Sequence, residues 1–214
     1  MIIAVDGPAA SGKGTIARAL AKHYGLPHLD TGLLYRAVAY NVRRHELNPE
    51  KEADAVASTD FPDSLLDEPE LRSDEIGKLA SVVSAHPLVR AALLQRQRRF
   101  AQQEGGAVLD GRDIGTVIAP DADAKLFVKA TPQIRARRRH TELKERGSTI
   151  SFDKVLADIR ARDQRDTGRS AAPLVMAADA GVLDTSFLSI EAAVRRAIEL
   201  VDRQVILKSA ARGR

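Results

Sequence analysis

Apolar residues in this chain fall in short runs of three to six, separated by longer stretches with helical spacing. Met1–Asp6 is an apolar run that ends in an acid, as a short buried strand does. A glycine-rich loop follows, and from Lys13 to Tyr24 the positions Ile16, Ala17, Leu20 and Ala21 share one helical face. Gly25-Leu26-Pro27 ends that helix. His28–Asp30 reads as a short strand, and Thr31 as the N-cap of a helix running to about His45. Asn48–Leu71 is rich in Pro, Asp and Glu with weak periodicity, so it reads as an inserted loop region. Asp74–Gln103 is helical and broken in two at Pro87. Ala107–Asp110 and Ala124–Val128 are further buried strands. Pro132–Arg146 is a strongly basic helix, 147–149 a turn, and Phe152 to about Asp166 another helix. Val182–Asp184 is a last strand, Ile190 to about Val205 the closing helix, and Lys208–Arg214 a frayed tail.

Short apolar strands alternating with helices predict an α/β fold, a parallel sheet with helices on both faces. The expected organisation is one domain. Its core comprises residues 1–46, 104–134 and 174–206, interrupted by an insert at about 47–103 and a segment at about 135–173, with a tail at 207–214. No repeat or low-complexity segment interrupts it.

Composition narrows the classes. A chain of 214 residues, 44% of them hydrophobic, buries one good core. The absence of cysteine excludes disulfides and thiolate metal sites and predicts a reducing, cytoplasmic setting. The N-terminus has no basic, long-apolar leader pattern, and no run approaches the roughly 20 apolar residues of a membrane span. The net charge of +4 is unevenly placed, with arginines clustered at 135–146 and 160–169. Such clusters suit nucleic acid or a smaller polyanion. Five Phe, three Tyr and no Trp leave few platforms for stacking bases, which favours a small phosphate ligand over nucleic acid.

The candidate chemistry starts at Gly7-Pro8-Ala9-Ala10-Ser11-Gly12-Lys13-Gly14-Thr15, between the first strand and first helix. That context makes it a P-loop: glycines let backbone N–H groups curve around an anion, and the helix N-terminus adds its positive end. Lys13 then reaches the β- and γ-phosphates of ATP. Gly14 stands where a magnesium-binding hydroxyl is usual and Thr15 follows, so Mg²⁺ is expected to be held mainly by waters and phosphates. Asp30-Thr31-Gly32 also occurs in aspartic proteases, but those are all-β and a helix follows here. Arg36 suits an acceptor phosphate, against the plainer reading of a solvated arginine. Asp110-Gly111-Arg112-Asp113 lies at a strand's carboxyl end, where open α/β sheets bind ligands. Asp110 ends its strand as a Walker-B acid does and orders a magnesium water; the alternative for this segment is an Asp–Arg pair capping a loop.

Arg162, Arg165, Asp166 and Arg169 are spaced i, i+3, i+4, i+7, one helix face if the helix reaches Arg169. Three cations and one acid on a stripe are costly without bound anions. Arg135, Arg138 and Arg139, with Glu142 nearby, read instead as a salt-bridged solvent face. The five histidines show no ligand spacing, and none is taken as a ligand or base.

Together these motifs resemble the bacterial cytidylate kinases, from Ile3 to about Val201. Ser81, Pro87 and Arg90, the segment Asp110–Thr116, and Ala172-Pro173-Leu174 belong to the resemblance. It implies ATP-dependent phosphorylation of CMP and dCMP by a monomer that engages neither nucleic acid nor membrane. It implies cytosine contacts from Ser81, Arg90 and Asp113, and ribose contacts from Arg162 and Asp166. Arg36, Arg112 and Arg169 would hold phosphates, with Lys13, Arg112, Arg162 and Arg169 catalytic and Thr31 and Tyr35 also on the acceptor. Two features depart from the family: Thr31 stands where serine is common, and the insert at 48–73 looks shorter than in many members. The rival readings are a kinase for another nucleotide or metabolite, a nucleotide-dependent switch and a nucleic-acid-binding ATPase. No guanine motif Asn-Lys-x-Asp supports a GTPase switch.

Overall fold

The computed structural model describes residues 1–212. Five strands form one parallel sheet: β1 (Ile2–Asp6), β2 (His28–Asp30), β3 (Ala107–Gly111), β4 (Ala124–Lys129) and β5 (Gly181–Asp184), in the order β2-β3-β1-β4-β5. Eight helices accompany them: α1 (Lys13–Tyr24), α2 (Thr31–Arg44), α3 (Glu52–Ala57), α4 (Asp74–Val83), α5 (Pro87–Ala101), α6 (Pro132–Glu145), α7 (Phe152–Gly168) and α8 (Ile190–Arg212).

Alternation along β1 sorts the two faces. Ile3 and Val5 pack with Ile16, Ala17 and Leu20 of α1 and Ala193, Ala197 and Val201 of α8. Ala4, between them, faces the opposite side with Ala101 of α5, Leu109, Ile114 and Ile118. Each fully buried leucine of this core, such as Leu20 or Leu126, contributes about 1.5–3 kcal/mol by leaving water. The sheet is thus covered on both faces, as a parallel sheet must be.

Two smaller cores flank it. α2 buries Leu34, Val38 and Val42 against Leu71, Ile76 and Leu93 of the insert, with Leu29 of β2 packed at the edge of this cluster. α6 and α7 pack on each other through Ala136, Leu143, Val155 and Ile159. Helix starts follow local chemistry. The hydroxyls of Ser73, Thr131 and Ser151 accept the N–H three residues on, opening α4, α6 and α7.

Four expectations are corrected. The N-cap of α2 is Asp30, whose Oδ1 accepts from the Gly32 N–H at 2.9 Å; Thr31 is already helical. Residues 48–71 are not simply loop: they hold α3 and two 3₁₀ turns, Asp63–Asp67 and Pro69–Arg72. α7 stops at Gly168, so Arg169 lies past the helix in extended conformation and is not on the stripe. α8 continues through Arg212, well beyond Val205, so 207–212 is helix rather than frayed tail. Alanine at 210 and 211 favours continuation, and the Lys208 ammonium is tied to the Ala122 carbonyl. Residues 213 and 214 of the expected tail lie outside the described residues.

At Gly7, the turn out of β1 has φ +155°, and an added Cβ would lie 2.1 Å from the Val128 carbonyl oxygen, a backbone atom that cannot swing away. Gly7→Ala is therefore expected to destabilise the protein by about 2–4 kcal/mol through overlap and strain. Urea denaturation measures this; a loss under about 0.5 kcal/mol, within the range of an ordinary surface change, would contradict the close approach.

Candidate active site

The carboxyl ends of β1, β2 and β3 open into a cleft of about 510 Å³ between the sheet, α4 and α7. All the acceptor-side residues singled out in the sequence, from Thr31 to Arg169, line it, as do Ala9, Ala10 and Lys13 of the loop after β1. Residues 81 and 90 come from two helices, 112 and 113 from a strand end, 162 and 166 from α7. Only the fold brings them together.

The loop itself is shaped by backbone conformation. Ala10 has φ 58° and Gly12 φ 91°, left-handed conformations of the kind that let a loop's N–H groups curve around an anion. Lys13, the first residue of α1, has a side chain 15% exposed. Burial, then the neighbouring Arg112, lower its pKa to about 8, against the pull of Asp110.

Asp110 lies beneath Lys13, 1% exposed, rather than on the cleft wall. Its Oδ1 is 2.8 Å from Nε2 of His28 and its Oδ2 is 3.7 Å from Lys13 Nζ. Burial works to raise its pKa, but the His28 hydrogen bond and the charges of Lys13 and Arg112 hold it below the ordinary carboxylate value. The Thr31 hydroxyl donates to the Asp110 carbonyl at 2.8 Å, so its proton is already committed.

The turn after β3 is held from below. Asp6 accepts the N–H groups of Ile114 (2.8 Å) and Gly115 (2.7 Å), which sets the direction in which Arg112 and Asp113 leave the strand. Burial pushes the Asp6 carboxyl up to about 6, while those two N–H groups pull it down. Asp113 pairs with Arg90, whose guanidinium also lies over the Tyr35 ring at 5.3 Å and donates to the Ser84 carbonyl. Ser81 accepts from Arg165 at 3.2 Å. Arg36 spends Nη1 on the carbonyls of Leu71 (2.6 Å) and Ser73 (3.0 Å), fixing the insert while it lines the cleft.

The positive charge is concentrated around Asp166. This buried carboxylate accepts from Arg112 Nε at 2.7 Å and lies 4.0 Å from Arg169 Nη1. Burial opposes its ionisation, but Arg112 and Arg162 keep its pKa low. Arg162 Nε and Arg169 Nη2 are buried donors with no partner among the described residues. Burial first, then Arg112, lower Arg162 to about 10. Buried N–H donors without acceptors are costly, so this arrangement suits an anionic ligand.

α6 is not a solvent face along its whole length. Arg135 is buried, makes a two-point contact with Asp163 of α7 (2.9 and 2.6 Å) and donates to the Ala9 carbonyl. Arg138 donates to the Ser11 carbonyl and to Thr185. Only Arg139 pairs with Glu142 as its spacing suggests, and it reaches Asp74 of α4 as well. The acid near Arg138 and Arg139 masked the fact that the partners of 135 and 138 come from α7, the loop after β1 and the loop after β5. His28 was missed, and Asp30 was noted only within the Asp30-Thr31-Gly32 segment; Asp30 lines the cleft and His28 bonds Asp110.

No helix among the described residues is long and apolar enough to cross a membrane. The family model described as cytidylate kinase matches residues 3–203. The cytidylate kinase of Xanthobacter autotrophicus (strain ATCC BAA-1158 / Py2) is 58% identical over 202 residues, 94% of this chain and 97% of that protein. That of Methylobacterium sp. (strain 4-46) is 61% identical over 182 residues, covering 84% and 86%. Among solved structures, an uncharacterized protein from Eubacterium ventriosum ATCC 27560 has a TM-score of 0.57 at 18% identity, covering 95% of this chain and 98% of that one, a likeness of fold. With the family match spanning the P-loop, the Asp110–Asp113 segment and the arginines of α7, this chain belongs to the cytidylate kinase family.

Proposed function

We propose that this protein transfers the γ-phosphoryl group of ATP to CMP and dCMP, giving ADP and CDP or dCDP. The observation that carries the reading is the pair of buried guanidinium donors, Arg162 Nε and Arg169 Nη2, unpartnered beside Arg112 in a cleft that starts at the P-loop. A phosphate between donor and acceptor supplies the missing acceptors. An oxygen of the CMP phosphate attacks the γ-phosphorus, and the bond to the bridging β–γ oxygen breaks, leaving its electrons on ADP. That attacking oxygen is already ionised, so no general base is needed. Catalysis is positioning and cation placement. Lys13, Arg112, Arg162 and Arg169 supply the charge, Gly7–Thr15 the phosphate cradle, and Arg36 a further phosphate contact. Ser81, Arg90 and Asp113 read the base, Arg162 and Asp166 the ribose, with Thr31 and Tyr35 shaping the acceptor wall.

Among the described residues no group of three or more His, Asp or Glu side chains is placed to hold a metal, and Gly14 offers no hydroxyl. In this reading magnesium would enter with ATP, held mainly by its waters and the phosphates, and Asp110, which lies behind Lys13 and off the cleft wall, would act on such a water only from that position. The chemistry such an ion would supply is neutralisation of phosphate charge, beside that supplied by Lys13 and the arginines. Residues 135–173 act as a lid in this reading. Because Arg135 and Arg138 tie the start of α6 to the P-loop, the hinge lies beyond Arg138 and the part that closes is the α6–α7 tip. The chain works as a monomer in the cytoplasm, a setting that its lack of cysteine suits.

The direct test is ADP formation from ATP with a panel of acceptors: CMP, dCMP, UMP, AMP, a non-nucleotide phosphate and none. CMP and dCMP should stimulate most. Equal ADP formation without acceptor, or stimulation by the non-nucleotide alone, would overturn the reading in favour of a switch or another kinase.

The ammonium of Lys13 is the acting form. A pKa lowered to about 8 means this charge is present below pH 8 and lost above it. kcat/KM for ATP, which reports the free enzyme, should then fall above about pH 8. A profile flat to about pH 10, near the ordinary lysine value, would show that Lys13 keeps its proton or does not act.

Asp113 has one oxygen on Arg90 and one free for the ligand. A carboxylate accepts from the 4-amino group of cytosine and opposes the 4-carbonyl of uracil, whereas an amide presents either group. Asp113→Asn should narrow the CMP-to-UMP ratio of kcat/KM by about tenfold or more, mainly through lost CMP activity. An unchanged ratio in the folded variant would mean that Asp113 serves only to hold Arg90.

A further inference from the structure

In the sheet, His28 lies opposite Val108 and Asp30 opposite Asp110. Strand alternation puts His28, Asp30 and Asp110 on one face. Val108 shares it and packs against α1, so this is the face on which α1 begins with Lys13. Asp110 is held there between two nitrogens. The contact with His28 Nε2, 2.8 Å, is a full hydrogen bond, and since an ionised carboxylate only accepts, Nε2 carries the proton. The contact with Lys13 Nζ, 3.7 Å, is too long to be one.

The difference matters because a buried carboxylate takes whatever donors it can reach. Lys13 has three donors on a flexible stem. A shift of about 1 Å would turn the long contact into a hydrogen-bonded pair and spend the ammonium on the protein. What stands against that shift is the bond on the far oxygen of Asp110.

We propose that His28 is a positioning residue for phosphoryl transfer: by holding Oδ1 of Asp110 it keeps the carboxylate back from Lys13 and leaves the lysine ammonium free for the nucleotide phosphates. The proposal rests on the reading of Lys13 as the phosphate lysine. Its partner is 82 positions away in the sequence, and it has no role in binding acceptor.

The test is the binding of ADP in the presence of EDTA, followed by calorimetry, so that no metal contributes, with kcat and KM for ATP and CMP measured alongside. His28→Leu should weaken ADP about tenfold, the scale of one lost charge-assisted hydrogen bond. It should raise KM for ATP while leaving KM for CMP unchanged. His28→Gln, whose amide can donate from near the place of Nε2, should restore affinity to within about twofold. His28→Ala, which adds no volume, replaces His28→Leu if the latter does not fold. In an Asp110→Asn background the His28→Leu penalty should vanish, because a neutral amide does not capture the ammonium. A penalty that persists in that background, or His28→Leu and His28→Ala binding ADP as tightly as the parent, overturns the proposal. Lys13→Ala in the same titration separates the two levels. If it weakens ADP while His28→Leu does not, only the role of His28 fails; if Lys13→Ala binds ADP normally, the reading of Lys13 fails and takes the proposal with it.

Discussion

The ion pair between Arg112 and Asp166 joins the sheet to α7, and the cleft is organised around it. Both side chains are largely withdrawn from water, at 15% and 5% exposed, with Nε and Oδ2 2.7 Å apart. Taking two charges out of water costs several kcal/mol each, so such a pair is weak evidence for stability. Its value lies in what it arranges. It sets the end of β3 against the last turns of α7, and it leaves the cations near Asp166 outnumbering their acids. Asp166 is shared among Arg112, Arg162 and Arg169. The site therefore carries an excess of buried positive charge, which suits a polyanionic ligand.

Two further buried carboxylates serve that arrangement from beneath. Asp6, at the end of β1, holds the turn carrying Arg112 and Asp113 by its N–H groups. Asp110, at the end of β3, faces Lys13 and is held by His28. The two strands are neighbours in the sheet, with Asp6 opposite Gly111. One acid thus aims the arginine side of the cleft and the other stands under the phosphate loop. Each is fixed by directed hydrogen bonds, since a buried carboxylate with loose partners would move the cation it serves.

α6 and α7 are connected to both walls of the cleft. Arg135 and Arg138 of α6 hold the carbonyls of the phosphate loop, Arg139 reaches Asp74 of α4, and Arg165 of α7 reaches Ser81. α4 and α5, which carry Ser81 and Arg90, pack with α2 in a second core. Ala9 and Ala10 of the loop after β1 also pack against the core between α6 and α7, so apolar contact, as well as these hydrogen bonds, joins loop and helices.

Much of this was determined by sequence alone. The P-loop is local: its glycines, its lysine and the strand and helix around it all lie between Ile2 and Tyr24, and local backbone preference decides such a turn. The five strands and most helices were legible for the same reason, since periodicity is a property of neighbours along the chain. What only the tertiary structure decided are the partners of charged side chains. Arg135 and Arg138 looked like a solvated stripe because Glu142 is close in sequence, yet their partners are Asp163, Ala9, Ser11 and Thr185. His28 showed no ligand spacing because its partner sits on the next strand. The end of α7 also depended on packing: the Leu174 N–H returns to the Asp166 carbonyl and Arg169 leaves the helix. A long polar side chain can be satisfied by any of many acceptors, so its partner is chosen by which elements the core brings together, and that choice is not written locally.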